Sequence, residues 1–114
     1  MSLFKGLFRA FNRIMEQEFL CQSFGAIIKS ARLKRNLTQY QLADAAGVGR
    51  RFIQGVENGH HEAKISTLFN MAKAMDVSPM ILIGELEYAV RTGELPESVT
   101  ENLPPKGIGR PKKK

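Results

Sequence analysis

The 114-residue sequence contains one cysteine and no tryptophan. The single thiol, Cys21, cannot close an intramolecular disulfide and matches no metal-ligand spacing, so a reducing, cytoplasmic setting is expected rather than secretion. No apolar run approaches the roughly 20 residues that a bilayer-spanning helix needs. Sustained strand-like alternation is also missing. Catalytic signatures are wanting too: there is no nucleophile with a neighbouring base, no P-loop and no dinucleotide fingerprint, since Gly47-Val48-Gly49 is an isolated GxG. His60, His61 and Glu62 are consecutive in a loop, where neighbouring side chains diverge and lack the spacing of a helical metal site. Neither an enzyme nor a bound metal or cofactor is therefore expected.

Acidic residues are scarce as well, 11 against 17 Lys+Arg, for a net charge of +6. That balance favours a polyanionic partner. Its distribution is uneven. Residues 78–103 set Arg91 against Glu85, Glu87, Glu94, Glu97 and Glu101, whereas residues 104–114 carry five cations and no acid. The excess of positive charge thus lies in the middle segment, 23–77, and in the tail.

What is present is helical spacing, segment after segment, which predicts an all-α fold. Residues 1–22 form a first unit. Phe4, Leu7, Phe8, Phe11, Ile14 and Met15 share one stripe, with Lys5, Arg9 and Arg13 off it, as in an amphipathic helix. Such a stripe suits packing on the domain or on a second subunit better than a membrane surface, so no membrane partner is expected. Residues 23–93 form the folded domain, in five helices. Ser23 is positioned to cap the first, whose inward face is Phe24, Ile27, Ile28 and Ala31, and Asn36 suits its end. Thr38 opens the second, with Gln41 three residues on completing a capping box, and Gly47 stops it. The third runs from about Gly49 to Asn58, with Phe52, Ile53 and Val56 on one side and Arg51, Gln54 and Asn58 on the other. Ile65, Leu68, Ala72 and Met75 stripe the fourth, and Ser78-Pro79 begins a fifth that ends at Gly93. Residues 94–114 complete the chain as a proline-containing flexible linker and a basic tail.

Two short helices joined by a tight glycine turn, the second with a basic and amide outer face, have the geometry for laying one helix across a DNA backbone and the next in the major groove. The spacing of Thr38-Gln39-Tyr40-Gln41-Leu42-Ala43, Ala46-Gly47-Val48, Ile53, Val56-Glu57-Asn58-Gly59 and Ile65-Ser66-Thr67-Leu68 resembles the lambda-repressor-like (Cro-type or Xre-type) helix-turn-helix family. The resemblance covers roughly residues 23–84. It implies a compact five-helix domain, here with the extra N-terminal amphipathic helix and flexible basic tail, that regulates transcription by binding double-stranded DNA sequence-specifically, usually as a homodimer.

Carried over by position, the resemblance places Arg50, Arg51 and Gln54 against bases. It sets Thr38, Gln39, Asn58, His60 and Lys64 near phosphates. Arginine suits the first task because its fork pairs with guanine O6 and N7. Arg32 and Glu57 match a structural pair that orients the third helix. Gly49 departs from the usual capping Ser or Thr, and Gly55 stands where a longer polar side chain often reaches a base. In the tail, Gly109-Arg110-Pro111 looks like the core of an AT-hook, so Arg110, Lys112 and Lys113 are assigned to the minor groove or, alternatively, to nonspecific phosphate contact. Two rival readings remain: an antitoxin that holds DNA and a partner protein together, and a nucleoid-type binder dominated by its tail.

Overall fold

Thr38 and Gln41 satisfy one another at the start of a helix. Thr38 Oγ1 accepts from the Gln41 backbone N–H at 3.0 Å, and Gln41 Oε1 accepts from the Thr38 N–H at 2.8 Å, which quiets two of the donors a helix start leaves open. The helix so begun ends at Gly47, whose φ of 75° is the left-handed conformation that lacks a penalty only without a Cβ. Between that glycine and the next helix lie only Val48 and Gly49, and this tight connection forces the two helices to cross.

In the computed structural model the backbone is described for residues 2–104 and side chains from residue 16. The elements are α1 (Ser2–Lys34), α2 (Gln39–Ala46), α3 (Arg50–Glu57), α4 (Ile65–Ala74), α5 (Pro79–Thr92) and α6 (Glu97–Thr100). No strand occurs among the described residues, in keeping with the all-α expectation. No helix among them is long and apolar enough to cross a membrane. The tail cations Arg110, Lys112 and Lys113, and the side chains of the stripe Phe4 to Met15, lie outside the described residues.

The core is one cluster. Ile27 and Ile28 of α1, Leu42 and Ala43 of α2, Ile53 and Val56 of α3, Leu68, Met71 and Ala72 of α4, and Leu82 of α5 are all buried within it. Each large side chain removed from water in this way contributes about 1.5 to 3 kcal/mol before entropy is counted. α1 packs against α3, α5 and α6, while α2 packs against α3 and α4.

Three local expectations are overturned. The break before Ser23 does not exist: α1 is a single 33-residue helix, and Ser23 is a buried interior residue rather than a cap. Nothing between Leu20 and Phe24 breaks a helix, so the serine competes poorly with continuation. Ile65, placed on the inner stripe of α4, is 69% exposed, because it stands in the first turn and the inward face is carried by Leu68, Met71, Ala72 and Met75. The linker expected from residue 94 is in part folded. Pro96 precedes α6, Val99 reaches the core at 1% exposure, and Leu95 and Leu103 pack beside it. Prolines on both sides concealed a segment in which Leu95, Val99 and Leu103 recur every four positions around a short helix.

The other ends follow their chemistry. Asn36 ends α1 in the left-handed region at φ 58°, and Ser78 caps α5 by accepting from the Met80 N–H, with Pro79 in the first turn. The α5 helix has more apolar residues than one stripe can bury: Leu82 and Ala89 are inside, but Met80, Ile81, Ile83, Tyr88 and Val90 are exposed.

Candidate nucleic-acid interface

The inner side of α3 is Ile53, Gly55 and Val56, all buried. Its outer side presents Arg51 and Gln54 to solvent, with Asn58 just beyond its end. What seats the helix is a close approach to α1. A Cβ built on Gly25 would stand 2.2 Å from the Val56 carbonyl oxygen, so only glycine at position 25 lets the two backbones meet. That requirement is invisible in the sequence, where Gly25 is simply a glycine inside a helix.

A chain of side-chain hydrogen bonds then ties the seat to the outer face. Arg32 donates from Nε to Glu57 Oε2 at 2.6 Å and from Nη2 to Oε1 at 2.9 Å, and its Nη1 donates to the Leu37 carbonyl at 2.8 Å. The two side chains are 8% and 2% exposed, so the pair is buried and bidentate, as expected for a structural pair. Glu57 Oε1 also accepts from Gln39 Nε2 at 3.0 Å, and Gln39 Oε1 accepts from Arg50 Nη1 at 3.2 Å. Arg50 lies over the Tyr40 ring, its guanidinium carbon 5.0 Å from the centroid. Every donor and acceptor in this chain of contacts has a geometric reason to stay where it is.

The structure thus brings together Arg32, Gln39, Arg50 and Glu57, with Arg51 and Gln54 exposed on the same helix as Arg50. Thr38 uses its hydroxyl as the α2 cap, with the residue still exposed. Asn58, His60 and Lys64 lie on the exposed loop from α3 into α4, where Lys64 precedes the first residue of α4. Position 49 has no side-chain cap bond, as glycine dictates. Position 55 differs from expectation: Gly55 is buried and faces the His61 ring, so no side chain there could reach outward. Tyr40 has no assigned role in the sequence pattern, where an aromatic directly after Gln39 is the one signal for a platform under Arg50.

Comparison with known proteins finds helix-turn-helix relatives. A family model described as helix-turn-helix matches residues 28–82. The chain is 34% identical over 61 residues to an immunity repressor protein of Bacillus phage phi105, covering 54% of this chain and 42% of that one. It therefore spans less than half the length of that relative. An uncharacterized HTH-type transcriptional regulator of Sinorhizobium fredii is 38% identical over 58 residues, covering 51% of this chain and 76% of its own. Among solved structures, the restriction-modification controller protein C.AhdI from Aeromonas hydrophila superposes with a TM-score of 0.53 at 29% identity, covering 54% of this chain and 94% of that one.

Proposed function

The chain belongs to the lambda-repressor-like helix-turn-helix family of DNA-binding transcriptional regulators, not to a family of enzymes, and from that membership we infer how this chain binds DNA. The α3 helix enters the major groove, which is wide enough for one helix. Arg50, Arg51 and Gln54 meet base edges, while Thr38, Gln39, Asn58, His60 and Lys64 line the flanking phosphates. The observation that carries this reading is the anchored Arg50: a side chain held by Gln39 and Tyr40 at the rim of an otherwise free polar face is pre-positioned for a directed contact. The glycines at positions 49 and 55 leave base reading to these three side chains.

Such a protein works in the cytoplasm, on the genome, as a homodimer. The second copy is supported by the exposed apolar residues of α5, among them Ile81, Ile83 and Tyr88, which exceed what a solvent-facing helix normally shows. Selection of bound duplexes from a random pool tests the whole reading. An inverted repeat with guanines at matched positions in each half is the expected result; enrichment of A·T-rich sequence without a repeat would overturn it in favour of binding through the tail.

A further inference from the structure

The residue that completes the α3 surface comes from outside the helix. Gly55 is buried although it has no side chain, because the imidazole of His61 occupies the space beside it: a Cβ at position 55 would stand 2.1 Å from His61 Cδ2 and 2.6 Å from Nε2. The same ring stacks on Phe52 one turn earlier, nearly parallel at 11° with centroids 5.9 Å apart. Two backbone bonds hold the loop to this spot, since the N–H groups of His60 and His61 both donate to the Gly55 carbonyl, at 2.8 and 3.3 Å. The ring is oriented from its own side as well: Nδ1 lies 3.0 Å from the His60 carbonyl oxygen, which accepts from it in the Nδ1-protonated tautomer. Away from α3, the ring borders an apolar cavity of about 190 Å³ between α1, α4 and α5. The residue is exposed, and Phe52, Gly55 and the His60 carbonyl are the contacts that orient its ring.

We propose that His61 is a positioning residue of the reading helix, its ring standing in for the side chain that position 55 lacks and fixing α3 to the loop that carries Asn58, His60 and Lys64. The proposal rests on α3 being the helix that reads DNA. The notch at Gly55 and the ring that fills it come from different elements, α3 and the loop that follows it. Rigid attachment matters because base edges are read only when the side chains on α3 and the phosphate contacts on the loop keep one mutual register.

The test measures the affinity of the full chain for its selected duplex and for random duplex at fixed salt, with thermal melting to confirm folding. Gly55→Ala forces the ring out and should lower affinity for the selected duplex about tenfold, and His61→Ala should lower it several-fold, both shrinking the ratio of selected to random binding. His61→Phe keeps the stack and should keep that ratio. The double variant Gly55→Ala with His61→Ala relieves the clash and should bind better than Gly55→Ala alone. An unchanged ratio in His61→Ala, or a double variant no better than Gly55→Ala, would overturn the proposal. Should Arg50→Ala also leave selected binding untouched, the assignment of α3 itself would be at fault rather than the role of His61.

Discussion

Gln39 and Arg50 are joined at 3.2 Å, the amide oxygen of one accepting from the guanidinium of the other, while the same amide's nitrogen donates to Glu57. The start of α2 and the start of α3 are thereby locked to the buried Arg32 at a single acidic side chain.

Gln39→Ala should therefore behave as a base-reading defect as well as a phosphate-contact loss. Arg50→Ala and Arg51→Ala are each expected to cost about 1 to 3 kcal/mol on the selected duplex and to relax preference at one base pair per half-site. Gln39→Ala should reproduce part of the Arg50→Ala loss, and the two together should fall short of additivity. Equal weakening on selected and random duplexes would show that these residues touch phosphate alone.

The Arg32–Glu57 pair is buried on both sides, so removing one member strands the other's charge. Arg32→Ala is expected to destabilise the fold by about 3 to 5 kcal/mol, measured by urea unfolding. The double replacement of Arg32 and Glu57 by Met should recover most of that loss in stability but not in DNA binding, because Gln39 would lose its anchor.

The α6 helix turns a segment resembling a linker into part of the core. Val99→Ala is expected to lower stability by about 1 to 3 kcal/mol, and truncation after residue 93 to lower it further, whereas truncation after residue 104 should leave the melting temperature unchanged. Equal stability of the two truncated chains would mean that Val99 contributes nothing.

Self-association through α5 predicts that Ile83→Glu combined with Tyr88→Glu yields a monomer by sedimentation at tens of micromolar, with folding intact because both side chains are exposed. Binding to an inverted repeat should then fall much further than binding to a single half-site.

The five cations after Pro105 are expected to bind DNA at least through their charge. Deleting residues 106–114 should weaken DNA binding and flatten its logarithmic salt dependence by up to a few units, at about 0.9 per phosphate neutralised, with the selected core site unchanged. A minor-groove role for Arg110 adds a further expectation: Arg110→Ala should cost more on A·T-flanked than on G·C-flanked sites, as measured by competition binding.

The positions of α2 to α5 were legible because their ends are set by neighbours a few residues away. Thr38 with Gln41, Gly47, Ser78 with Pro79, and Gly93 each act within one turn of chain. The same locality made Ile27, Ile53, Val56 and Leu68 recognisable as inward residues, since helical period alone puts each on the inner face of its helix. It misled at Ser23 and at residues 94–103, where a capping residue and several prolines carry local signals that packing overrides.

Thus the sequence by itself determined the helical class, the glycine turn between α2 and α3, and the basic and amide face of α3, all of them consequences of short-range conformational preference and periodicity. Tertiary structure alone decided that Gly25 admits the α3 backbone, that Glu57 is shared by Arg32 and Gln39, that Val99 reaches the core and that His61 fills the notch at Gly55. The reason is physical: these contacts depend on where whole helices cross, which is set by the joint packing of the core, and no local pattern around any one of those residues encodes its partner's position.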